Sequence, residues 1–182
     1  MSHDLKPEVG ISLELSLAVV VSLAAADAPV SLKYYPLVLL LFQFLLTFLL
    51  HCPAHFIVGS ALGIRFTGLY LGRTSLASGG PPGLRRVTSM LVVLTLRTDR
   101  DSVSRVNKKR RQAMYLSGVA ASVSSAFIFA LLSVSLGSAT VTAVTFAFAF
   151  AYLAFNLVFS PKTGDIRRAL SVSRPRGPPL EA

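Results

Sequence analysis

Four long apolar segments constrain the fold of this chain more than any other feature of its sequence. They run over residues 11–30, 34–59, 114–137 and 139–159. A helix that crosses the hydrocarbon core of a bilayer needs about 20 predominantly apolar residues. In lipid, only helices and closed barrels satisfy every backbone polar group. The segments therefore predict an all-α polytopic membrane protein with about four transmembrane helices.

The composition agrees with a membrane domain and indicates its partners. Hydrophobic residues make up 53% of the 182-residue chain, and 18 Lys and Arg against 8 Asp and Glu give a formal net charge of +10. The basic residues lie outside the central parts of the apolar segments, where anionic lipid headgroups are the expected counter-charge. The basic blocks contain no nucleic-acid-binding motif and no interleaved aromatic residues. We therefore expect membrane lipids as partners and no nucleic acid.

The distribution of positive charge predicts the orientation in the membrane. Lys and Arg residues near the ends of spans are held on the cytoplasmic side. With four spans, every Lys and Arg except Lys33 lies on one face. We therefore predict an integral membrane, multi-pass protein whose N- and C-termini are both cytoplasmic.

The chain divides into a membrane domain over residues 1–170 and a tail over residues 171–182 whose composition predicts disorder. Between the second and third spans, residues 65–112 form a long cytoplasmic loop. Two short stretches, 64–71 and 87–96, are rich in β-branched and aliphatic residues, and the sequence SGGPPG separates them. This pattern is typical of strands joined by a turn-rich connection. A small β-containing loop is therefore predicted at the cytoplasmic surface.

Ionisable residues in and beside the spans predict a metal site. His51 and His55 are one helical turn apart near the end of the second span, Glu14 lies about one turn inside the first, and Asp165 follows the fourth. All four side chains are expected at one depth. Ionisable residues in membrane spans are costly and mark function. Imidazole and carboxylate ligands suit zinc, which takes three protein ligands in catalytic sites.

Simpler interpretations of the same residues stay open at this point. A histidine pair near a helix end can hydrogen-bond across helices, and an i, i+4 spacing arises often by chance. Glu14 can extend its carboxylate to the cytoplasmic headgroups. On these interpretations the side chains of His51, His55 and Glu14 have structural roles only. The sequence around them has to distinguish a structural role from metal binding.

Three segments together resemble the site-2 protease family, the intramembrane zinc metallopeptidases. HCPAHFIVGSALGIRF, which begins at His51, resembles the family's zinc-binding H-E-x-x-H segment with its small residues and Gly-Ile. LSGVAASVSSAFIFALL (116–132) resembles the small-residue helix that packs against the catalytic helix. FNLVFSPKTGDIRRA (155–169) resembles the segment with Asn, Pro and Asp-Gly. The three segments occur in the family's order.

The resemblance implies a zinc ion held by His51, His55 and Asp165, and an activity directed at transmembrane protein substrates. It also implies that Asn156 and Pro161 shape the active site and position an extended substrate. The alternative for these two residues is structural, with Pro161 ending the fourth helix and Asn156 forming an interhelical hydrogen bond.

Departures from the family pattern bear on activity. Cys52 occupies the position of the family's glutamate, the general base, so proteolysis by that mechanism is expected to be altered or lost. Cys52 itself and Glu14 are the candidate catalytic replacements, the latter because its expected depth matches that of the histidines. Asp165 comes one residue later than the family's aspartate, which puts its reach in question. Pro53 lies inside the motif and is expected to kink the helix there.

Three classes of function follow from these features. The first is an intramembrane metallopeptidase with an altered catalytic apparatus. The second, favoured by Cys52, is a non-catalytic scaffold or regulator that keeps the fold, with or without the metal, to bind other membrane proteins. A transporter or channel is disfavoured because the charged groups gather at one face of the membrane.

Overall fold

The computed structural model describes residues 5–28, 34–73, 92–136 and 138–172. Helices dominate this part of the chain, and one pair of strands interrupts them. The elements, in chain order, are α1 (Pro7–Asp27), α2 (Tyr35–Leu49), α3 (His51–Ala61), β1 (Phe66–Arg73), β2 (Val92–Thr98), α4 (Arg100–Arg105), α5 (Lys108–Ser133), a 3-10 turn (Val134–Leu136), α6 (Ala139–Thr163) and α7 (Asp165–Ser171).

Four helical stretches are long and apolar enough to cross a membrane. They are α1, α2 continued by α3, α5 with its 3-10 turn, and α6 over Ala139–Lys162. The predicted fold class, an all-α polytopic membrane protein with a small two-strand sheet, is confirmed. The helices extend beyond the apolar segments that predicted them, because Pro7 suits the first turn of α1 and Asn107 caps α5 through the Arg110 N–H.

The second membrane helix is interrupted at Leu50, between α2 and α3. Pro53 has no N–H, so the Leu49 carbonyl receives no helical hydrogen bond from it. Backbone hydrogen bonds from Leu50 to Leu46 and from Ala54 to Leu50 carry the chain across the interruption. The break falls where the proline predicts a kink, and it separates the apolar part of the span from the segment with the histidines.

Small side chains bring α5 and α6 into close contact. Ala126, Ala130 and Ala149 are 0% exposed and form one cluster, and aromatic side chains including Phe146 and Phe148 pack around it. Between apolar helices in lipid, van der Waals packing of small residues supplies association energy that the hydrophobic effect cannot. Of the alanines that alternate with aromatic residues in α6, Ala149 makes this contact, whereas Ala147 and Ala151 are exposed.

Uncharged polar side chains are buried between α2, α5 and α6. Gln43 is 0% exposed, and its amide donates to the carbonyls of Ala126 (2.9 Å) and Thr145 (3.0 Å). The hydroxyls of Thr145 and Ser133 lie 2.8 Å apart. These hydrogen bonds join three helices away from the charged end of the bundle, and they satisfy donors that would be costly in lipid.

The strands β1 and β2 form an antiparallel pair in which Leu69 faces Leu96. On its other edge, Leu69 exchanges two backbone hydrogen bonds of 3.0 Å with Leu5, just before α1. Both strands end later than the predicted stretches 64–71 and 87–96, because cross-strand pairing decides strand bounds. Residues 74–91 lie outside the described residues.

The predicted tail lies almost entirely outside the described residues. The prediction of disorder for this tail therefore stays a prediction, and α7 ends at Ser171, where the tail was predicted to begin. The side chain of Gln112 on α5 donates to the Ala169 carbonyl (3.2 Å), so α7 is held against α5. Tertiary contact therefore holds the chain as far as the start of the predicted tail.

Candidate metal centre

The structure brings three predicted site residues together at the junction of α3 and α7. The Asp165 Oδ2 lies 3.0 Å from the His51 Nε2 and 3.3 Å from the His55 Nε2. The two Nε2 atoms are 3.3 Å apart. Two imidazole nitrogens and one carboxylate oxygen thus form a triangle with nearly equal sides, and the imidazole planes are inclined by 85°.

Local chain geometry explains how α7 delivers its carboxylate. The chain leaves α6 at Gly164, whose N–H donates to the Ser160 carbonyl (2.9 Å), and the Ile166 N–H donates to the Ser160 Oγ (3.2 Å). Asp165 begins α7 directly after this turn. A Cβ at position 164 would lie 2.7 Å from the Ser160 Oγ, so glycine permits the turn. The carboxylate therefore reaches both histidines despite its one-residue offset from the family pattern.

The electrostatics of the centre favour an anionic carboxylate. Burial alone would raise the pKa of Asp165, whose side chain is only 16% exposed. When the His51 and His55 rings are protonated, their hydrogen bonds to this carboxylate and their positive charge outweigh burial and hold the pKa of Asp165 well below its usual value. Arg168, one turn along α7, lies 3.5 Å from the other carboxylate oxygen. Asp165 thus turns a single charged oxygen toward the two imidazoles.

The helix α5 packs directly against the His55 ring. The Met114 carbonyl lies 2.7 Å from the His55 Nδ1, and because a carbonyl only accepts, this nitrogen carries a proton in the hydrogen bond. The Nε2 of a neutral His55 is then free to bind a cation. Gly118 lies against the same ring, and a Cβ at this position would overlap the His55 Nε2. Backbone and glycine of α5 together fix the ring orientation.

The candidate catalytic residues Cys52 and Glu14 lie beside this centre but are not part of it. Cys52 is 8% exposed and Glu14 is 5% exposed. Among the described residues, the group of three or more metal-binding side chains contains His51, His55 and Asp165 alone. The Cys52 thiol lies within electrostatic reach of the Glu14 and Asp165 carboxylates, and the Glu14 Oε2 is buried without a hydrogen-bond partner. Catalytic roles for both residues remain predictions.

Asn156 and Pro161 form different contacts from those of the structural alternative. The Asn156 amide donates to the Tyr152 carbonyl (2.9 Å) within α6 itself and not to another helix. Pro161 lies inside α6, which continues to Thr163, so the proline does not end the helix. Because Pro161 has no N–H, the Leu157 carbonyl receives no helical hydrogen bond from it. A role of either residue in binding substrate remains a prediction.

Sequence reasoning missed the side chains that support the ligands. Ser122 lies 3.1 Å from the His51 Nδ1, Gly118 contacts His55, and Arg168 pairs with Asp165. The sequence does contain a pattern that could have indicated Gly118 and Ser122. These two residues begin a row of small residues spaced by four that continues at Ala126 and Ala130. Such a row places small side chains on one face of a helix.

The arrangement offers two nitrogen ligands and one anionic oxygen at a single point beside α5. The side chain of His51 is 31% exposed, and those of His55 and Asp165 are 12% and 16% exposed, so the centre is open mainly on the side of His51. This donor set is one that divalent transition metals accept. The chain matches no protein-family model, no curated protein and no solved structure.

Proposed function

We propose that this protein is a zinc-binding integral membrane protein, distantly related to the site-2 proteases, in which His51, His55 and Asp165 hold the ion. The observation that carries the proposal is the triangle of 3.0, 3.3 and 3.3 Å between their Nε2, Nε2 and Oδ2 atoms. Ligand atoms bound to one tetrahedral zinc at its usual bond lengths lie about 3.3 Å apart. The spacing of the donor atoms therefore fits a shared ion.

The charges of the centre support the same assignment. Two neutral imidazoles and one carboxylate leave a bound divalent ion with a net positive charge, and the Arg168 guanidinium is directed at the outer carboxylate oxygen. Zinc held by three protein ligands acts as a Lewis acid and lowers the pKa of a water in its open position. The chain itself contributes orientation, because α5 restrains the His55 ring and the turn at Gly164 presents Asp165.

We infer that peptide hydrolysis by the family's mechanism is lost, and that the protein binds other membrane proteins as clients. The support is position 52, where a buried thiol replaces the carboxylate that would accept a proton from the attacking water. Among the described residues, no second carboxylate joins His51, His55 and Asp165 in the metal-binding group. A scaffold or regulator that retains its metal is the function that these residues support best.

A second candidate function is hydrolysis with Glu14 as the proton acceptor. One observation favours it, since the Glu14 Oε2 is buried without a hydrogen-bond partner. The same carboxylate is near enough to Cys52 to interact with it electrostatically. An unpaired ionisable group at membrane depth is costly, and such groups are kept for function. The two candidates differ only in whether the centre cleaves peptide bonds.

The metal assignment is tested by elemental analysis of protein purified in mild detergent. We expect about one zinc ion per chain in the wild type, and little in a His51→Ala, His55→Ala double variant or in Asp165→Asn, because structural and catalytic zinc sites lose the ion with their ligands. Asp27→Asn is the matched control, since Asp27 is an exposed carboxylate at the last residue of α1 and does not belong to the candidate centre. Equal and negligible zinc in all four proteins, or iron in place of zinc, would contradict the assignment.

Activity is tested with a transmembrane test peptide reconstituted in liposomes with the zinc-loaded protein. We expect no cleavage by the wild type, because the general base that supplies about 100- to 10,000-fold of such a reaction is absent. Cleavage that is lost both in the double histidine variant and in Glu14→Gln would establish the second candidate. Cleavage that persists in Glu14→Gln would exclude Glu14 as the proton acceptor.

We propose that both chain ends lie in the cytoplasm. The exposed Lys108, Lys109 and Arg110 at the start of α5 and Arg167 on α7 lie at the same end of the bundle as the candidate centre, where anionic lipid headgroups would be their counter-charge. A Ser171→Cys substitution in a Cys52→Ser background should react with a membrane-impermeant maleimide only in opened cells. Labelling in intact cells would refute this orientation.

A further inference from the structure

Ser122, in the middle of α5, connects the candidate metal centre to the interruption in the second membrane helix. Its side chain is 0% exposed. The Ser122 Oγ lies 2.7 Å from the Thr47 carbonyl, one turn before His51, and 3.1 Å from the His51 Nδ1. A single hydroxyl therefore contacts both a backbone acceptor and a ring nitrogen of a candidate ligand.

The direction of these two hydrogen bonds follows from the chemistry of the partners. A carbonyl oxygen only accepts, so the shorter contact requires that Ser122 donates its one proton to Thr47. The Ser122 Oγ then has only lone pairs left for the 3.1 Å contact. His51 can complete the network only by donating from Nδ1, and a buried network with every member satisfied is strongly favoured over one with a clash of lone pairs.

We propose that Ser122 is a positioning residue that keeps a proton on the Nδ1 of His51 and thereby leaves the Nε2 lone pair for a metal ion. The Met114 carbonyl has the same effect on His55. The Nε2 atoms of the two histidines are thus both directed at Asp165 as metal-binding atoms. The functional value of this proton rests on the proposed zinc site. The presence of the proton on Nδ1 depends only on the hydrogen bonds of the chain itself.

The proton location is measured by nitrogen-15 NMR of histidine-labelled, metal-free protein in detergent. The chain has three histidines, so a His51→Gln variant identifies the His51 signals. We expect a protonated Nδ1 in the wild type and loss of the Nδ1 proton in Ser122→Ala, because the Asp165 carboxylate, 3.0 Å from Nε2, favours a proton on Nε2 in both proteins and only the hydroxyl favours one on Nδ1. An unprotonated Nδ1 in the wild type would overturn the proposal without any variant.

Ser125→Ala is the matched control, because Ser125 lies one turn further along α5 and its hydroxyl donates only to the Ser122 carbonyl (2.8 Å). We expect this variant to keep the wild-type His51 signals. The same change in both serine variants would mean that α5 acts through packing and not through the Ser122 hydroxyl. If Ser122→Ala does not fold, Ser122→Thr, which keeps the hydroxyl, should preserve the Nδ1 proton, and loss of that proton would overturn the proposal.

Zinc affinity gives an independent measurement of the consequence. We expect Ser122→Ala to bind zinc about 10- to 100-fold more weakly than the wild type, the usual cost of removing a hydrogen bond that orients a histidine ligand. Unchanged affinity in Ser122→Ala overturns the positioning role although zinc is bound. Absence of zinc from the wild type contradicts the proposed function, whereas the NMR result in metal-free protein still decides where the proton lies.

Discussion

A Gly118→Ala substitution is expected to weaken zinc binding by about 100-fold, the upper end of the effects seen when the support of a ligand is removed. A Cβ at this position would overlap the His55 Nε2 and would lie 2.7 Å from two carbon atoms of the ring. The ring must therefore turn or the helices must separate. Either movement breaks the 2.7 Å hydrogen bond between the His55 Nδ1 and the Met114 carbonyl.

The measurement is a zinc titration of the purified variant against a competing chelator, with thermal unfolding recorded on the same sample. Ser124→Thr is the matched control, because it adds one methyl group to the exposed face of the same helix. We expect this control to bind zinc as the wild type does. Wild-type affinity in Gly118→Ala would show that His55 does not need its observed orientation, and it would count against His55 as a ligand.

An Ala149→Leu substitution is expected to have the largest effect on folding. Ala149 is 0% exposed and shares a cluster with Ala126 and Ala130, so a larger side chain must push α6 away from α5. Overpacking of a close-packed interior costs about 1–3 kcal/mol. Separation would also strain the hydrogen bonds from Gln43 to the carbonyls of Ala126 and Thr145, which join the same helices.

Thermal unfolding in detergent, followed by circular dichroism, measures this effect. Ala147→Leu provides the control, because Ala147 lies two residues earlier on α6 with its side chain exposed. In a membrane helix this face meets lipid, which accepts leucine as readily as alanine. We expect a lower unfolding temperature only for Ala149→Leu. Equal stability of both variants would mean that α5 and α6 are not packed through these alanines.

The membrane fold follows from hydropathy alone, because each span is an autonomous helix whose backbone polar groups must pair internally in lipid. The four apolar segments therefore predicted α1, α2 with α3, α5 and α6. The position of the break at Leu50 was also predictable, since Pro53 lacks a backbone donor. The strand bounds were predicted less well because they depend on pairing between residues distant in the chain, such as Leu5 with Leu69.

The sequence by itself determined which side chains meet in the candidate metal centre. The i, i+4 spacing places His51 and His55 on one helical face, and the depth of each span end brings Asp165 to the same level. Depth alone could not decide the place of Glu14. In the structure the Glu14 carboxylate interacts electrostatically with Cys52, and it lies outside the group formed by the two histidines and Asp165.

Only the tertiary structure decided the environment of those side chains. The Ser122 hydroxyl, the Met114 carbonyl and the missing side chain of Gly118 all belong to α5, far from His51 and His55 in the chain. Hydropathy and spacing report the depth of a residue and the face of its own helix. They do not report which face of a second helix lies opposite, because that depends on helix packing, and helix packing fixes the orientation of both imidazoles.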